Sequence, residues 1–146
     1  MAQTGLFFED LSLGQSASLS RMVNEADVVA FAQVSGDDNP VHLDAAFAAT
    51  TPFKERIAHG MLSASYISAL LGTKLPGPGA IYLSQTLSFK RPVKLGATVE
   101  ATVTITALDS EKGRVTLACV CKVEGKPVLE GEAVVMAPKR VIEARS

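Results

Sequence analysis

The chain has 146 residues, close to the usual size of one domain, and we expect a single domain over residues 1–146. Apolar residues make up 47% and charged residues 20%, a balance typical of a globular rather than a disordered chain. Fourteen basic residues against fifteen acidic ones give a formal net charge of −1, which leaves no basic excess for binding nucleic acid.

The cysteines and the N-terminus indicate the cellular compartment. Cys119 and Cys121 are two residues apart, so on a strand they share a face without bridging, and we expect free thiols in a reducing compartment. Residues 1–10 lack the basic segment of a secretory signal. Polar residues interrupt every apolar stretch before the roughly 20 residues that a membrane span needs. We therefore predict a cytoplasmic protein without a membrane segment.

The first half of the chain carries helix signals. Asn24 and Asp27 fit a capping box, and that helix should end near Ser35-Gly36. Residues 36–40 are polar, and Pro40 disfavours the α conformation at the residue before it, so we predict a non-helical segment. Asp44 can cap a short helix that follows.

The longest helix is predicted over residues 57–71, with Gly72 as its stop. Apolar residues cover every face of its helical wheel, so it should be surrounded by other structure.

The second half of the chain alternates apolar and polar residues, as strands do when one face is buried. The alternation covers residues 81–89, 97–107 and 115–121, and residues 128–136 are predicted as the last strand. In the first segment the alternation predicts a buried face of Ile81, Leu83, Leu87 and Phe89. Helices followed by strands favour the α+β class, with an antiparallel sheet wrapped around the long helix. One sheet covering one helix leaves apolar surface exposed, so we expect a homodimer.

Several common catalytic and cofactor motifs are missing from the sequence. It contains no Gly-rich phosphate loop of the Walker or dinucleotide type and no Gly-x-Ser-x-Gly motif. The two histidines, His42 and His59, are not accompanied by carboxylates or thiolates at a recognisable zinc spacing. We therefore predict no metal site.

Residues 35–42 combine two carboxylates, an amide and an imidazole on a backbone stiffened by Pro40. An aspartate and a histidine held together can share acid–base work near neutral pH, because the imidazole titrates there. The alternative is a solvated loop in which Asp and Asn only cap helices.

Ala58-His59-Gly60 lies near the start of the long helix, where backbone N–H groups lack intrahelical partners and the dipole favours negative charge. Gly60 would let a ligand approach this backbone and could stabilise a developing oxyanion. The alternative is a glycine kept for packing. Ser63, Ser65 and Ser68 on the same helix are expected to bond back to their own helix.

The sequence resembles the MaoC-like dehydratase family in four segments: residues 35–44, His59-Gly60-Met61, Tyr82-Leu83 and residues 88–93. Within it they are most similar to the short bacterial (R)-specific enoyl-CoA hydratases that feed polyhydroxyalkanoate synthesis. The resemblance runs from about residue 13 to residue 136. It implies a hot-dog fold and a homodimer with the substrate tunnel at the subunit interface.

The resemblance also implies roles for individual residues. Asp37 and His42 would form the catalytic dyad, and the Gly60 N–H would bind the thioester oxygen; Asp38 fills a variable position. The substrate-binding positions would be Asn39, His59, Ser68 and Leu71, with Ser68 beside the dyad and Leu71 in the acyl pocket. The implied reaction adds water to a trans-2-enoyl-CoA to give the (R)-3-hydroxyacyl-CoA, without a cofactor, since coenzyme A is part of the substrate.

Two other functions remain open at this point. One is an acyl-CoA thioesterase of the hot-dog class, although residues 37–42 do not match the thioesterase arrangement. The other is a non-catalytic acyl-CoA-binding module, against which an intact dyad argues. Lys90, Arg91 and Lys94 could contact the phosphates of coenzyme A or could simply form a solvated strand end.

Overall fold

The computed structural model describes residues 5–140. A short 3-10 helix (Phe8–Asp10) precedes the regular elements. The helices are α1 (Glu25–Ser35), α2 (Pro40–Leu43), α3 (Ala45–Ala49) and α4 (Gly60–Thr73). The strands are β1 (Ser16–Met22), β2 (Ile81–Phe89), β3 (Thr98–Asp109), β4 (Arg114–Val123) and β5 (Lys126–Met136).

The five strands form one antiparallel sheet in the order β1-β3-β4-β5-β2, and α4 packs across it. Ile67 and Leu70 of α4 are fully buried, and they belong to the same core as the inward-facing residues of β3 and β4. Those residues alternate along the strands as the sequence predicts: Val99, Ala101, Val103, Ile105, Val115, Leu117, Cys119 and Cys121. The protein therefore has the α+β hot-dog fold, with a sheet wrapped around a long helix.

The predicted helix caps are confirmed. The Asn24 side chain accepts a hydrogen bond from the Asp27 N–H at 2.9 Å, and the Asp27 carboxylate accepts one from the Asn24 N–H at 3.1 Å. Gly36 ends α1 in the left-handed conformation with φ of 81°. Asp44 caps α3 by accepting from the Phe47 N–H at 3.1 Å.

Two predicted helix boundaries are wrong. Asn39 is non-helical, as expected, but Pro40 begins α2 instead of belonging to a non-helical segment. Proline suits the first position of a helix because no intrahelical acceptor is available there for an N–H. The long helix begins at Gly60 rather than residue 57, and it continues through Gly72 to Thr73.

Two predicted buried surfaces are exposed in the single chain. Helix α4 is covered on one side only, and its outer stripe consists of Met61, Ser65, Ser68, Ala69 and Gly72. On β2, the exposed fractions of Ile81, Leu83 and Phe89 are 56%, 42% and 53%. This strand lies at the edge of the sheet and has an irregular register between Tyr82 and Ser84, so its alternation does not translate into burial.

Both cysteines are buried free thiols, as predicted. Among the helices of residues 5–140, none combines the length and apolar character that crossing a membrane would require.

We predict opposite stability effects from two glycine-to-alanine changes. A Cβ at Gly131, inside β5, would collide with the Thr86 carbonyl oxygen of β2, whereas a Cβ at Gly72 in α4 meets no atom within 4 Å. Gly131→Ala should therefore destabilise the fold by roughly 1–3 kcal/mol, as overpacking does. Gly72→Ala should stabilise it by up to about 1 kcal/mol through helix propensity. Urea unfolding followed by circular dichroism measures both, and equal effects would contradict the β2–β5 packing.

Candidate active site

Asp37 and Asn39 are held in the turn between α1 and α2 by local hydrogen bonds. The Asp37 N–H donates to the Ser35 hydroxyl at 3.0 Å, and the Asn39 N–H donates to the Asp37 carboxylate at 3.3 Å. Asn39 in turn caps α2 by accepting from the Val41 N–H at 3.1 Å. These polar residues therefore cap α2 and also hold the Asp37 carboxylate, which is exposed, in place.

His42 is buried on α2, and its tautomer follows from one hydrogen bond. Its Nδ1 lies 2.7 Å from the Ile57 carbonyl oxygen, which can only accept, so Nδ1 carries the proton and Nε2 keeps a lone pair. Burial lowers the pKa of His42 below its usual 6.5, although the Ile57 bond raises it in part. The neighbouring His59 also lowers this pKa, and Asp37 raises it. The ring is therefore neutral at neutral pH, with Nε2 as an acceptor.

His59 contacts both members of the pair. Only 2% of His59 is exposed, and its Nε2 donates to the Asp37 backbone carbonyl at 2.8 Å. Its ring stacks on that of His42 with centroids 3.8 Å apart, and it meets the Phe31 ring at 4.8 Å. These contacts hold the Asp37 backbone and the His42 ring next to each other; the predicted contact of His59 with substrate stays a prediction.

Asp37, His42 and His59 each offer one ligand atom, and these atoms lie within 4.8 Å of one another. The cluster is thus the place where the described chain could hold a metal. The two rings stack with 30° between their planes, and each ring already donates one N–H to a backbone carbonyl, so each offers one acceptor nitrogen. Such acceptors beside a carboxylate can also hold a water molecule and move its proton.

Gly60 is the first residue of α4, so its N–H has no acceptor within the helix. A Cβ at this position would lie 2.6 Å from the Phe89 ring, which shows how closely β2 packs over the helix start. Gly60 and His42 line the same cavity, so the positive end of the α4 dipole faces the space beside His42.

One cavity of about 480 Å³ connects these groups. Asp37, His42, His59 and Gly60 all line it. The exposed side chains of Lys90 and Arg91 lie at its mouth, and its inner wall is formed by buried residues of α4 and β5, namely Ser63, Val128 and Leu129.

The remaining predicted substrate-binding residues do not line this cavity. The Asn39 side chain caps α2, Ser68 lies on the exposed stripe of α4, and Leu71 is buried in the core. The expectation that Ser68 lies beside the dyad and Leu71 in the acyl pocket is not met within the single chain. Both follow Gly60 on α4 by two to three turns, which carries them away from the helix start.

Sequence reasoning missed Ser63 and Phe89 as cavity residues. A signal for Ser63 was available, because residues three apart on a helix share a face and Ser63 follows Gly60 by three. No comparable signal identified Phe89, whose place depends on how β2 crosses the start of α4.

Comparison with known proteins places this geometry in a family. The family described as "MaoC like domain" matches residues 12–136. An (R)-specific enoyl-CoA hydratase of Rhodospirillum rubrum is 58% identical over 134 residues, which cover 92% of this chain and 93% of the relative. A 3-hydroxybutyryl-CoA dehydratase of Methylorubrum extorquens is 52% identical, with 92% and 86% covered.

A solved structure agrees with the fold. The (R)-hydratase of Aeromonas caviae involved in PHA biosynthesis superposes with a TM-score of 0.87 at 51% identity, and the match covers 89% of this chain and 99% of that one. The chain therefore belongs to the MaoC-like domain family and is one of its hydro-lyases.

Proposed function

We propose that the protein reversibly hydrates trans-2-enoyl-CoA to (R)-3-hydroxyacyl-CoA. The observation that carries this proposal is the shared cavity, in which the Asp37 carboxylate and the His42 Nε2 acceptor lie near the N–H of Gly60. The names of the relatives supply the substrate class and the (R) configuration.

Each of these groups has a defined part in the proposed reaction. The Asp37 carboxylate and His42 Nε2 bind a water molecule and remove its proton as the oxygen adds to C3. The thioester carbonyl oxygen then gains negative charge, which the Gly60 N–H and the α4 dipole stabilise. The pair returns a proton to C2, so the addition is balanced without a cofactor or a metal.

The cavity mouth suits the coenzyme A portion of such a substrate. Lys90 and Arg91 give the mouth a positive charge that complements phosphate groups. Lys94 is engaged elsewhere, because its Nζ lies 2.7 Å from the Glu55 carboxylate. With coenzyme A at the mouth, the acyl group of the substrate enters the buried part of the cavity.

We also propose that the protein works as a homodimer. Among the described strands none pairs with the outer edge of β2, and this strand exposes Ile81, Leu83 and Phe89. Such an edge favours pairing with another chain. Because Phe89 also lines the cavity, a second copy on β2 would close the site from outside.

Crotonyl-CoA distinguishes the candidate reactions. We expect loss of the absorbance of the conjugated thioester without release of free thiol. Free thiol would indicate a thioesterase, and no change would favour a non-catalytic binding module. Adding an (S)-specific 3-hydroxyacyl-CoA dehydrogenase should give no NADH, since we expect the (R) product.

Variants of the two adjacent carboxylates test the site in the same assay. Asp37→Asn and His42→Ala should each lower kcat/KM by about 10²–10⁴, as loss of a general acid–base group does. The double variant should lose little more, because the two residues act as a unit. Asp38→Asn is the matched control and should remain near wild type. An inactive Asp38→Asn beside an active, folded Asp37→Asn would overturn the assignment.

The lowered pKa of His42 predicts the acid side of the pH profile. The His42 ring must be unprotonated to accept a proton from water. Because burial lowers its pKa, the ring stays unprotonated at pH values somewhat below the usual pKa of 6.5. Values of kcat/KM should therefore hold to below pH 6.5 before they fall. The unfolded chain takes up this proton first, so His42 lowers folding stability as pH falls below 6.5. Circular dichroism at each pH separates that effect from activity, and an acid limb above pH 6.5 would contradict the burial argument.

The proposed interface predicts the oligomeric state. Sedimentation at micromolar concentration should give twice the mass of one chain. Leu83→Glu, a charge on the exposed β2 surface, should shift the protein toward monomer and lower hydration activity. A fully active monomer would contradict a role for the second copy. Val34→Glu is the control, because Val34 is 84% exposed on α1 and should not affect assembly.

A further inference from the structure

Arg56 contacts the backbone of His42 although it does not line the cavity. Its Nε donates to the His42 carbonyl oxygen at 2.8 Å, and its Nη1 donates to the Glu25 carboxylate of α1, also at 2.8 Å. The side chain of Arg56 is 17% exposed, whereas that of Glu25 is 69% exposed. The guanidinium therefore meets His42 on its sheltered side and Glu25 on its solvent side.

The His42 carbonyl lacks a partner within its own helix. Helix α2 ends at Leu43, so no N–H of the helix lies far enough along the chain to reach this carbonyl. The carbonyl before it, that of Val41, accepts from the Ile57 N–H at 3.3 Å. A helix of one turn is not stable by itself, so the position of α2 depends on the donors that residues 56 and 57 supply.

The same two residues also hold the imidazole. Arg56 binds the His42 carbonyl, and the carbonyl of Ile57 accepts from the His42 Nδ1 at 2.7 Å. The histidine is thus held at its backbone and at its ring by consecutive residues. That segment is itself anchored, because the Ala58 N–H donates to the Val93 carbonyl at 2.7 Å.

We propose that Arg56 is a positioning residue for the hydration reaction. It holds α2 where the Ile57 carbonyl fixes the Nδ1–H tautomer of His42 and leaves Nε2 as the acceptor for the reacting water. The catalytic part of this inference rests on the proposed function, whereas the effect on the tautomer does not. A guanidinium suits the task because its planar fork carries donors for two acceptors at once, and a charged donor strengthens each bond.

Replacing Arg56 with methionine tests the proposal in the crotonyl-CoA assay. Arg56→Met keeps an unbranched apolar stem and removes both hydrogen bonds. Because misplacing a reacting group by about 1 Å can cost on the order of 100-fold, kcat should fall by roughly 10- to 100-fold. The KM should change little, since Lys90 and Arg91 at the cavity mouth are untouched.

A second measurement observes the imidazole directly. The chain contains 2 histidines, so heteronuclear NMR of the imidazole nitrogens at alkaline pH can follow each ring. Wild-type His42 should show the Nδ1–H tautomer, and Arg56→Met should show a mixture of both tautomers. His59 is the internal control, because its Nε2 donates to the Asp37 carbonyl in either protein. A purely structural role of Arg56 would lower stability and leave the tautomer of the folded protein unchanged.

Three further variants make the comparison specific. Glu25→Gln leaves an oxygen acceptor for the guanidinium and should keep both kcat and the tautomer close to wild type. Arg114→Met removes an exposed arginine of β4 outside the cavity and should also match wild type. Arg56→Lys keeps the charge but replaces the fork with one nitrogen, so it should fall between wild type and Arg56→Met.

The outcomes are distinct. A lower kcat and a mixed His42 tautomer in folded Arg56→Met, with Glu25→Gln unchanged, support the proposal. A lower kcat with an unchanged tautomer overturns it, and so does an equal loss in Glu25→Gln, which would assign the effect to the ion pair with α1. If Arg56→Met does not fold, Arg56→Lys decides, and wild-type kcat and tautomer in that variant overturn the proposal. Failure of the wild-type protein to hydrate crotonyl-CoA would overturn the proposed function, while the tautomer comparison would still test the contact between Arg56 and His42.

Discussion

The site depends on one buried imidazole that joins two distant parts of the chain. His59 immediately precedes α4, donates to the Asp37 carbonyl 22 residues earlier at 2.8 Å, and stacks on His42. This residue therefore fixes the helix start, with the Gly60 N–H, against the turn that carries Asp37. Because His59 is 2% exposed, its hydrogen bond forms where water does not compete, and the geometry is held firmly.

The same packing lowers the pKa of His42. Burial is the largest cause, and the His59 ring, with its centroid 3.8 Å away, acts in the same direction. The Asp37 carboxylate is exposed beside this neutral ring. In the proposed reaction, a water molecule between them would meet a carboxylate and a neutral imidazole nitrogen as acceptors. The fold thus places one exposed and one buried titratable group side by side in the cavity.

Local sequence signals predicted the parts of the structure that depend on neighbouring residues. The capping box at Asn24, the alternation in β3 and β4 and the polar turn before α2 all rest on short-range hydrogen bonding or strand geometry. The exposure of β2 and of the outer stripe of α4 was not predictable in this way. Periodicity reveals which residues are apolar, but it does not show whether the surface that covers them comes from the same chain. Ser68 lies on that exposed stripe, so periodicity alone does not show what surrounds it in an assembly.

The buried polar atoms show where the fold gives up stability for the site. Among residues 5–140, the buried side-chain polar atoms without a partner are His59 Nδ1 and Ser63 Oγ, and both residues line the same cavity. Each costs roughly 1–3 kcal/mol, a sizeable part of the 5–15 kcal/mol that stabilises a typical domain. Because both atoms belong to residues that line one cavity, the fold concentrates this cost at the candidate active site.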